Sequence, residues 1–212
     1  MKYKDREDGG QALIPLLKEY KDADDAIIIA LPRGGVVTGY EIAKELHLPL
    51  DIVVPRKIGA PENEEFAIGA LTEDGEPILN KNVADIYNFE DEKIQDIIKN
   101  ERKEAQRRLA LYRGNRKPLD LTGKTAIIVD DGIATGSTML AAIKSVKYKG
   151  AQKIIVAVPV SAQDSYNSIK KEVNDVICPH IPVYFGAVGA FYEIFAQTED
   201  EEVISLMNES KK

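Results

Sequence analysis

Two aspartates stand side by side where an apolar run ends. Ile127, Ile128 and Val129 lead into Asp130 and Asp131, and then into Gly132, Ile133, Ala134, Thr135, Gly136, Ser137 and Thr138. The apolar run reads as a buried strand, and a helix is predicted to start at Ser137 or Thr138. Loops at the carboxyl ends of parallel strands are where α/β sheets place ligands. The stretch Ala134, Thr135, Gly136, Ser137 and Thr138 offers main-chain amides and three hydroxyls, and Gly136 lets the backbone approach an anion closely. The helix start adds its own amides and the positive end of its dipole. Together these make a cradle for a monophosphate, in which a side chain at Gly136 is expected to fill the anion's space. Two adjacent carboxylates repel each other and the anion unless something lies between them; two ribose hydroxyls and a magnesium ion suit that gap.

Two further strand ends carry groups suited to anions. Leu31, Pro32, Arg33, Gly34, Gly35 and Val36 combine one cation with two glycines whose amides can point at a charge. Pro55, Arg56, Lys57, Ile58 and Gly59 place two cations together. Gly123, Lys124 and Thr125 mimic the end of a P-loop, but Pro118 sits where that motif needs its first glycine, and the strand follows instead of preceding it. No strand leads into the three-glycine spacing of a dinucleotide site. His47, after a predicted helix, reads as a surface residue, and His180, between Pro179 and Ile181, as a structural one.

The elements that must position these residues follow from periodicity. Apolar runs at 26–31, 125–129 and 154–158 are rich in Ile and Val and read as buried parallel strands; a fourth, 50–54, follows the first after a helix-length gap. Val36, Tyr40, Ala43 and Leu46 share a helical face, as do Met139, Ile143 and Val146. The alternation predicts an α/β fold, a parallel sheet flanked by helices. Two segments interrupt it. Runs at 67–71 and 77–80 flank Glu73, Asp74 and Gly75 and predict a hairpin. Residues 90–112 read as a long charged helix with a narrow stripe of Ile94, Ile98, Ala105, Leu109 and Tyr112, ended by Arg113, Gly114, Asn115 and Pro118. That stripe suggests a homodimer contact. The whole of 1–212 is expected to form one domain, with an excursion over about 57–118.

Bulk properties narrow the classes. Of 212 residues, 28 are basic and 35 acidic, a net charge of −7, which argues against a nucleic-acid binder along the whole chain. The one cysteine, Cys178, excludes an internal disulfide and a cysteine-based zinc site, and suggests a reducing compartment. The first ten residues lack the apolar core of a signal peptide, and no apolar run approaches the ~20 residues of a membrane span. A cytoplasmic protein without membrane contact is expected.

The segment 127–138 resembles the ribose-phosphate signature of the type I phosphoribosyltransferases: two hydrophobics, two acids, a few small residues, then Thr-Gly and a hydroxyl pair. More closely, 32–35, 56–59, 67–70, 129–136 and 187–192 together resemble a group of bacterial and archaeal phosphoribosyltransferase-domain proteins. The resemblance implies a type I phosphoribosyltransferase-like fold and a pentosyltransferase (glycosyltransferase) that binds phosphoribosyl pyrophosphate with magnesium. It would transfer ribose 5-phosphate to a nucleobase or similar acceptor and release pyrophosphate. Carried over, Asp130 and Asp131 hold the ribose diol and magnesium, the latter through water, and Ala134, Thr135, Gly136, Ser137 and Thr138 hold the 5-phosphate. The loop of Arg33, Gly34 and Gly35 takes the pyrophosphate, often through a strained peptide bond in the family, and Arg33, Arg56 and Lys57 supply leaving-group charge. The hypoxanthine-guanine branch has an aspartate where this chain has Ala134, which disfavours a 6-oxopurine and leaves other acceptors open. A base-covering hood is expected at 181–200. The rings between Phe185 and Phe195 could stack on a base or fill core around the last strand. The other function the family resemblance allows is a non-catalytic regulator that senses the sugar pyrophosphate and binds RNA or DNA through Arg102, Lys103, Arg107, Arg108 and Arg113.

Overall fold

The computed structural model describes residues 2–71, 77–79, 86–88, 90–114 and 119–210. Its centre is a five-stranded parallel sheet. Strands β1 (Ala26–Ala30), β2 (Leu50–Ile52), β6 (Thr125–Val129), β7 (Lys153–Ala157) and β8 (Asp175–Ile177) lie in the order β2-β1-β6-β7-β8. Ala26 faces Thr125, and Ala30 faces Val129, so β1 and β6 end together. Their uninterrupted burial explains their uninterrupted apolar sequence. Successive side chains point to opposite faces, and both faces are covered. Ile28, Ala30, Ile127 and Val129 pack on one side with α2 (Gly34–Leu46) and with Val203 and Met207 of α6 (Asp200–Glu209). Ile27, Ile29, Ile128 and Val156 pack on the other with Met139, Ile143 and Val146 of α4 (Ser137–Tyr148) and Ile169 of α5 (Gln163–Lys170).

The excursion is a second sheet. Strands β3 (Arg56–Ala60), β4 (Asn63–Leu71) and β5 (Pro77–Leu79) pair antiparallel in that order. The segment holding Arg56 and Lys57, expected to end the strand at 50–54, instead opens a strand of its own, with Arg56 opposite Leu71 and Lys57 opposite Ala70. The turn at Glu73, Asp74 and Gly75, the end of the second hairpin strand at Asn80, and the stop signals Asn115 and Pro118 lie outside the described residues. The long helix α3 (Glu92–Arg113) starts from Asp91, whose side chain accepts from the Lys93 amide at 2.9 Å. Its apolar stripe is used within the chain. Ile94 and Ile98 pack on Ile58, Ala60, Ile68 and Leu71, while Tyr112 and Leu109 join the main core. The stripe therefore gives no reason to expect a second copy there.

Nothing in the pattern of the first 25 residues predicts an element, yet α1 (Arg6–Leu13) and a 3-10 helix (Ile14–Tyr20) precede β1. Asp5 caps α1 by accepting from the Asp8 amide at 3.0 Å. Ahead of α1, the chain pairs with its own far end. The Tyr3 amide donates to Phe191 O at 2.8 Å, and the Glu193 and Ile194 amides donate to Tyr3 O and Lys4 O at 2.8 and 2.9 Å. The Tyr3 hydroxyl donates to Pro159 O, and burial pushes its pKa up to about 12. Among the described residues no helix is long and apolar enough to cross a membrane.

Candidate active site

Because β1 and β6 end side by side, the loops that leave them meet. Leu31 donates its amide to Val129 O at 3.0 Å, so the chain that becomes Arg33, Gly34 and Gly35 runs directly beside Asp130 and Asp131. The fit admits no side chain. A Cβ on Gly35 would lie 2.9 Å from Asp130 Cα and Oδ1, and one on Gly34 would overlap Asp131 Oδ2 and lie 2.6 Å from Arg6 Nε. Gly34→Ala should therefore lower stability by about 1–3 kcal/mol, the usual range for overpacking. In a double-mutant cycle read by urea denaturation, Asp131→Ala should recover part of that loss. The Pro32–Arg33 peptide is cis.

Neither aspartate faces open solvent; both are partly buried. Asp130 Oδ1 accepts from the Asp131 amide at 2.9 Å, and Asp131 Oδ2 accepts from Arg6 Nε at 2.6 Å. The Asp131 side chain is only 14% exposed. Burial, followed by repulsion from Asp131, raises the Asp130 carboxyl well above the usual carboxylate range. Burial also raises Asp131, against the pull of the Arg6 hydrogen bond and charge. The Tyr192 hydroxyl donates to Asp131 O at 2.5 Å, and desolvation pushes its pKa up. These contacts bring in two residues that the spacing did not single out for this role, Arg6 and Tyr192. Arg6 lies in a polar stretch with no motif, so no sequence signal points to it.

The loop after the acids closes onto the next two elements. Ile133 donates its amide to Val160 O and accepts from the Ala162 amide, and Ser165 Oγ donates to Ala134 O at 2.5 Å. Helix α4 begins at Ser137 with no side-chain cap, which leaves its first-turn amides without a side-chain acceptor. Gly136 sits at φ +77 and ψ −6, the left-handed region. A Cβ there would point to Ser165 and Ile169 at 3.4–3.5 Å, not toward the space beside Thr135 and Ser137. The expected clash with an anion is thus replaced by a backbone requirement. Gly136→Ala should cost about 1–2 kcal/mol in urea denaturation through its left-handed φ and leave affinity for a phosphate ligand within about threefold, less than 1 kcal/mol.

Beside this loop lies a cavity of about 970 Å³. Thr135, Ser137 and Thr138 line one side, Pro32, Pro55, Arg56, Lys57 and Gly59 another, and α3 a third. Lys93, Ile97, Glu101 and Arg108 fall on one face of α3, beside the apolar stripe, and all line the cavity. That periodic charged face was the available signal for the wall. Arg56 Nε is 2.5 Å from Glu101 Oε2 across it. The Arg33 guanidinium is elsewhere: Nη1 lies 3.5 Å from Asp200 and 3.7 Å from Glu199, at the start of α6. Gly34 and Gly35 thus share a site with the acids, whereas the Arg33 side chain points away from the cavity.

The basic residues considered for nucleic acid do not form one face. Arg113 is buried, with Nε 3.1 Å from Asp51 and Nη2 donating to Ile52 O at 2.7 Å. Arg107 and Arg108 both donate to Glu104, which their hydrogen bonds lower to a pKa of about 2. His47 is exposed and 2.8 Å from Asp22, and His180 packs edge-on against Phe191 at 5.4 Å. Cys178 is half-buried, and desolvation raises its thiol to about 11.

The description "phosphoribosyl transferase domain" fits residues 3–191 as a family match. The chain belongs to this family. Its acid pair and phosphate-loop string mark it as a type I phosphoribosyltransferase-domain protein, and the parallel sheet flanked by helices is the type I fold. Two Mycobacterium tuberculosis proteins, provisionally named phosphoribosyl transferases, are each 37% identical over 210 residues. That covers 99% of this chain and 47% of each relative, so the chain spans about half the length of these curated proteins. The crystal structure of TT1426 from Thermus thermophilus is 34% identical, with a TM-score of 0.90 over 99% of both chains. A uracil phosphoribosyltransferase from Mycoplasma genitalium is 33% identical over 73 residues, 34% of this chain and 33% of that one.

Proposed function

We propose that this chain is a phosphoribosyltransferase that transfers ribose 5-phosphate from phosphoribosyl pyrophosphate to a nucleobase or similar acceptor. The reading is carried by one juxtaposition: Gly34 and Gly35 packed against Asp130 and Asp131, next to an uncapped α4 start and a cavity with cationic walls. In the reaction the bond from the anomeric carbon to the pyrophosphate oxygen breaks, and a bond to the acceptor nitrogen forms. The electron pair of the broken bond leaves with pyrophosphate, and the acceptor's proton goes to solvent or a base. The protein need not supply a nucleophile. It holds the reactants in line and stabilises the departing charge.

Each element has a part. The α4 start, with Thr135, Ser137 and Thr138, takes the 5-phosphate. Asp130 and Asp131 accept from the ribose hydroxyls; each has one oxygen already engaged, which leaves the other for a ligand. Among the described residues no group of three or more His, Cys, Asp or Glu could hold a metal ion by itself. The donor set therefore suits magnesium carried on the ligand's phosphates and touching Asp130 or Asp131 through water, the usual habit of that ion. When bound, it would neutralise leaving-group charge. Arg56 and Lys57 face the cavity and serve the pyrophosphate, together with the main chain of the Gly34–Gly35 loop. Arg33 would have to leave Asp200 and Glu199 to do so.

Among the rings of 185–195, Tyr192 is core, and Phe195, though 38% exposed, stacks on Tyr192 at 5.1 Å and carries Arg6 Cζ 3.9 Å from its centre, which favours the packing role for these two. Ala134 keeps a 6-oxopurine disfavoured. Burial of Arg113 removes one of the five residues of an RNA- or DNA-binding regulator. A cytoplasmic place completes the reading; a homodimer would have to form through a surface other than the α3 stripe, and light scattering tests the assembly. The deciding experiment screens bases and amines with phosphoribosyl pyrophosphate and magnesium, following pyrophosphate release. Release that depends on one acceptor supports the transferase; binding of the sugar pyrophosphate with no acceptor-dependent release points to a sensor.

A further inference from the structure

We infer that Arg6, at the start of α1, is the positioning residue of the acid pair, fixing Asp131 for the ribose diol and fastening the 188–196 segment to it. The inference rests on the phosphoribosyl reading of the site. Three contacts hold the guanidinium. Nε donates to Asp131 Oδ2 at 2.6 Å, Nη1 donates to Ala196 O at 2.6 Å, and Cζ lies over the Phe195 ring, 3.9 Å from its centre. An exposed ion pair would count for little, but these side chains are 13% and 14% exposed. A planar fork bound on two edges and one face has one orientation, which an ammonium could not copy.

The consequence is geometric. With Oδ2 engaged by Arg6, Asp131 has Oδ1 left to offer a ligand. Tyr192 holds the main chain of the same residue through Asp131 O, and the Asp131 amide holds Asp130 Oδ1. The two carboxylates are thus set before any ligand arrives, and side-chain freedom that binding would otherwise remove is already gone. Joining the N-terminus to the far end of the chain does not require Arg6. The Tyr3–Tyr192 bridge, with rings 5.6 Å apart, and the bonds to Phe191, Glu193 and Ile194 already do that. What Arg6 adds is the link from that junction to a carboxylate of the site. Gly34 leaves room for it, since a side chain there would strike both partners.

The test compares three ligands by calorimetry, each with magnesium: phosphoribosyl pyrophosphate, ribose 5-phosphate and inorganic pyrophosphate. The first two carry the diol and the third does not. Arg6→Met should weaken the first two by about tenfold or more, the loss of one charge-assisted hydrogen bond's worth of positioning, and leave pyrophosphate unchanged. Arg6→Lys should recover only part of the loss, because an ammonium can pair with Asp131 Oδ2 but cannot also hold Ala196 O and cover the Phe195 ring. If Arg6→Met fails to fold by circular dichroism, Arg6→Lys carries the test alone, with a smaller loss confined to the diol ligands. Equal binding of all three ligands by variant and parent overturns the inference, as does a loss shared by pyrophosphate, which would mark Arg6 as merely structural. A parent that binds none of the three overturns the phosphoribosyl reading and this inference with it. A parent that binds all three while Arg6→Met and Arg6→Lys bind as well overturns the inference alone.

Discussion

An Arg113→Met variant should be less stable than the parent by about 3–5 kcal/mol, the usual cost of breaking a buried ion pair from one side. Arg113 is the last residue of α3, and its guanidinium joins Asp51 and the Ile52 carbonyl of β2. Removing it leaves the Asp51 carboxylate, 13% exposed, with the Ile52 amide at 2.7 Å and without that cation. Because an unpaired buried charge costs more than the pair contributes, adding Asp51→Val should restore most of the loss. Urea denaturation of the two single variants and the double variant measures this. If Arg113→Met unfolds at the same urea concentration as the parent, the pair does not fasten α3 to the main sheet. The same variant separates two functions. A nucleic-acid regulator using Arg113 would keep its fold and lose affinity and salt dependence, whereas a fastening residue loses stability first.

Arg113 also illustrates where sequence reading stops. The strands β1, β6 and β7 were legible because parallel strands buried on both faces show as unbroken Ile and Val runs, and their ends shifted by no more than a residue. The acid pair and the loop that follows it were legible as a strand end running into a helix start because they form one contiguous string, so local chain order already places them together. Arg113 and Arg107 look alike in sequence, yet one is buried against Asp51 and the other exposed beside Glu104, a difference set by tertiary contacts 62 residues away. Strand β3 was hidden for a related reason. Arg56 and Lys57 open it, and only Ile58, Gly59 and Ala60 follow, too short and too mixed for an alternation to show. The part of α1 was hidden because its function lies 125 residues away in the chain, through Arg6 and Asp131. Gly34 and Gly35 show the middle case. Their type suggested amides turned to an anion, while the structure gives them a second reason, the closeness of two carboxylates and a guanidinium that leaves no room for a Cβ.

Asp130→Asn should lower affinity for phosphoribosyl pyrophosphate by about tenfold while leaving the protein as stable as the parent at neutral pH, or more so. The two effects have one cause. Asp130 is held in a desolvated place beside a second carboxylate, which raises its pKa well above the value of about 3.9 expected in the unfolded chain. Between those two values the native state keeps a proton that the unfolded state has released. The unfolded state then binds fewer protons, so stability falls as pH rises through that window, and above it the full cost of the buried charge remains. An asparagine has no charge to desolvate, so the variant's stability should lose this part of its decline with rising pH. The same substitution replaces a charge-assisted hydrogen bond to a ribose hydroxyl, worth about 1.5–3 kcal/mol, with a neutral one. With the neutral bond still contributing about 0.5–1.5 kcal/mol, the net loss is about 1–1.5 kcal/mol, close to the roughly 1.4 kcal/mol of a tenfold change. Urea denaturation from pH 4 to pH 8 and calorimetry with the magnesium complex, on parent and variant, measure both sides. Unchanged affinity would remove Asp130 from the ribose site, and an unchanged slope of stability with pH would show that its carboxyl is not the group buried at a cost. Losing binding without losing stability is the signature that separates a ligand-holding aspartate from one that merely ends a strand.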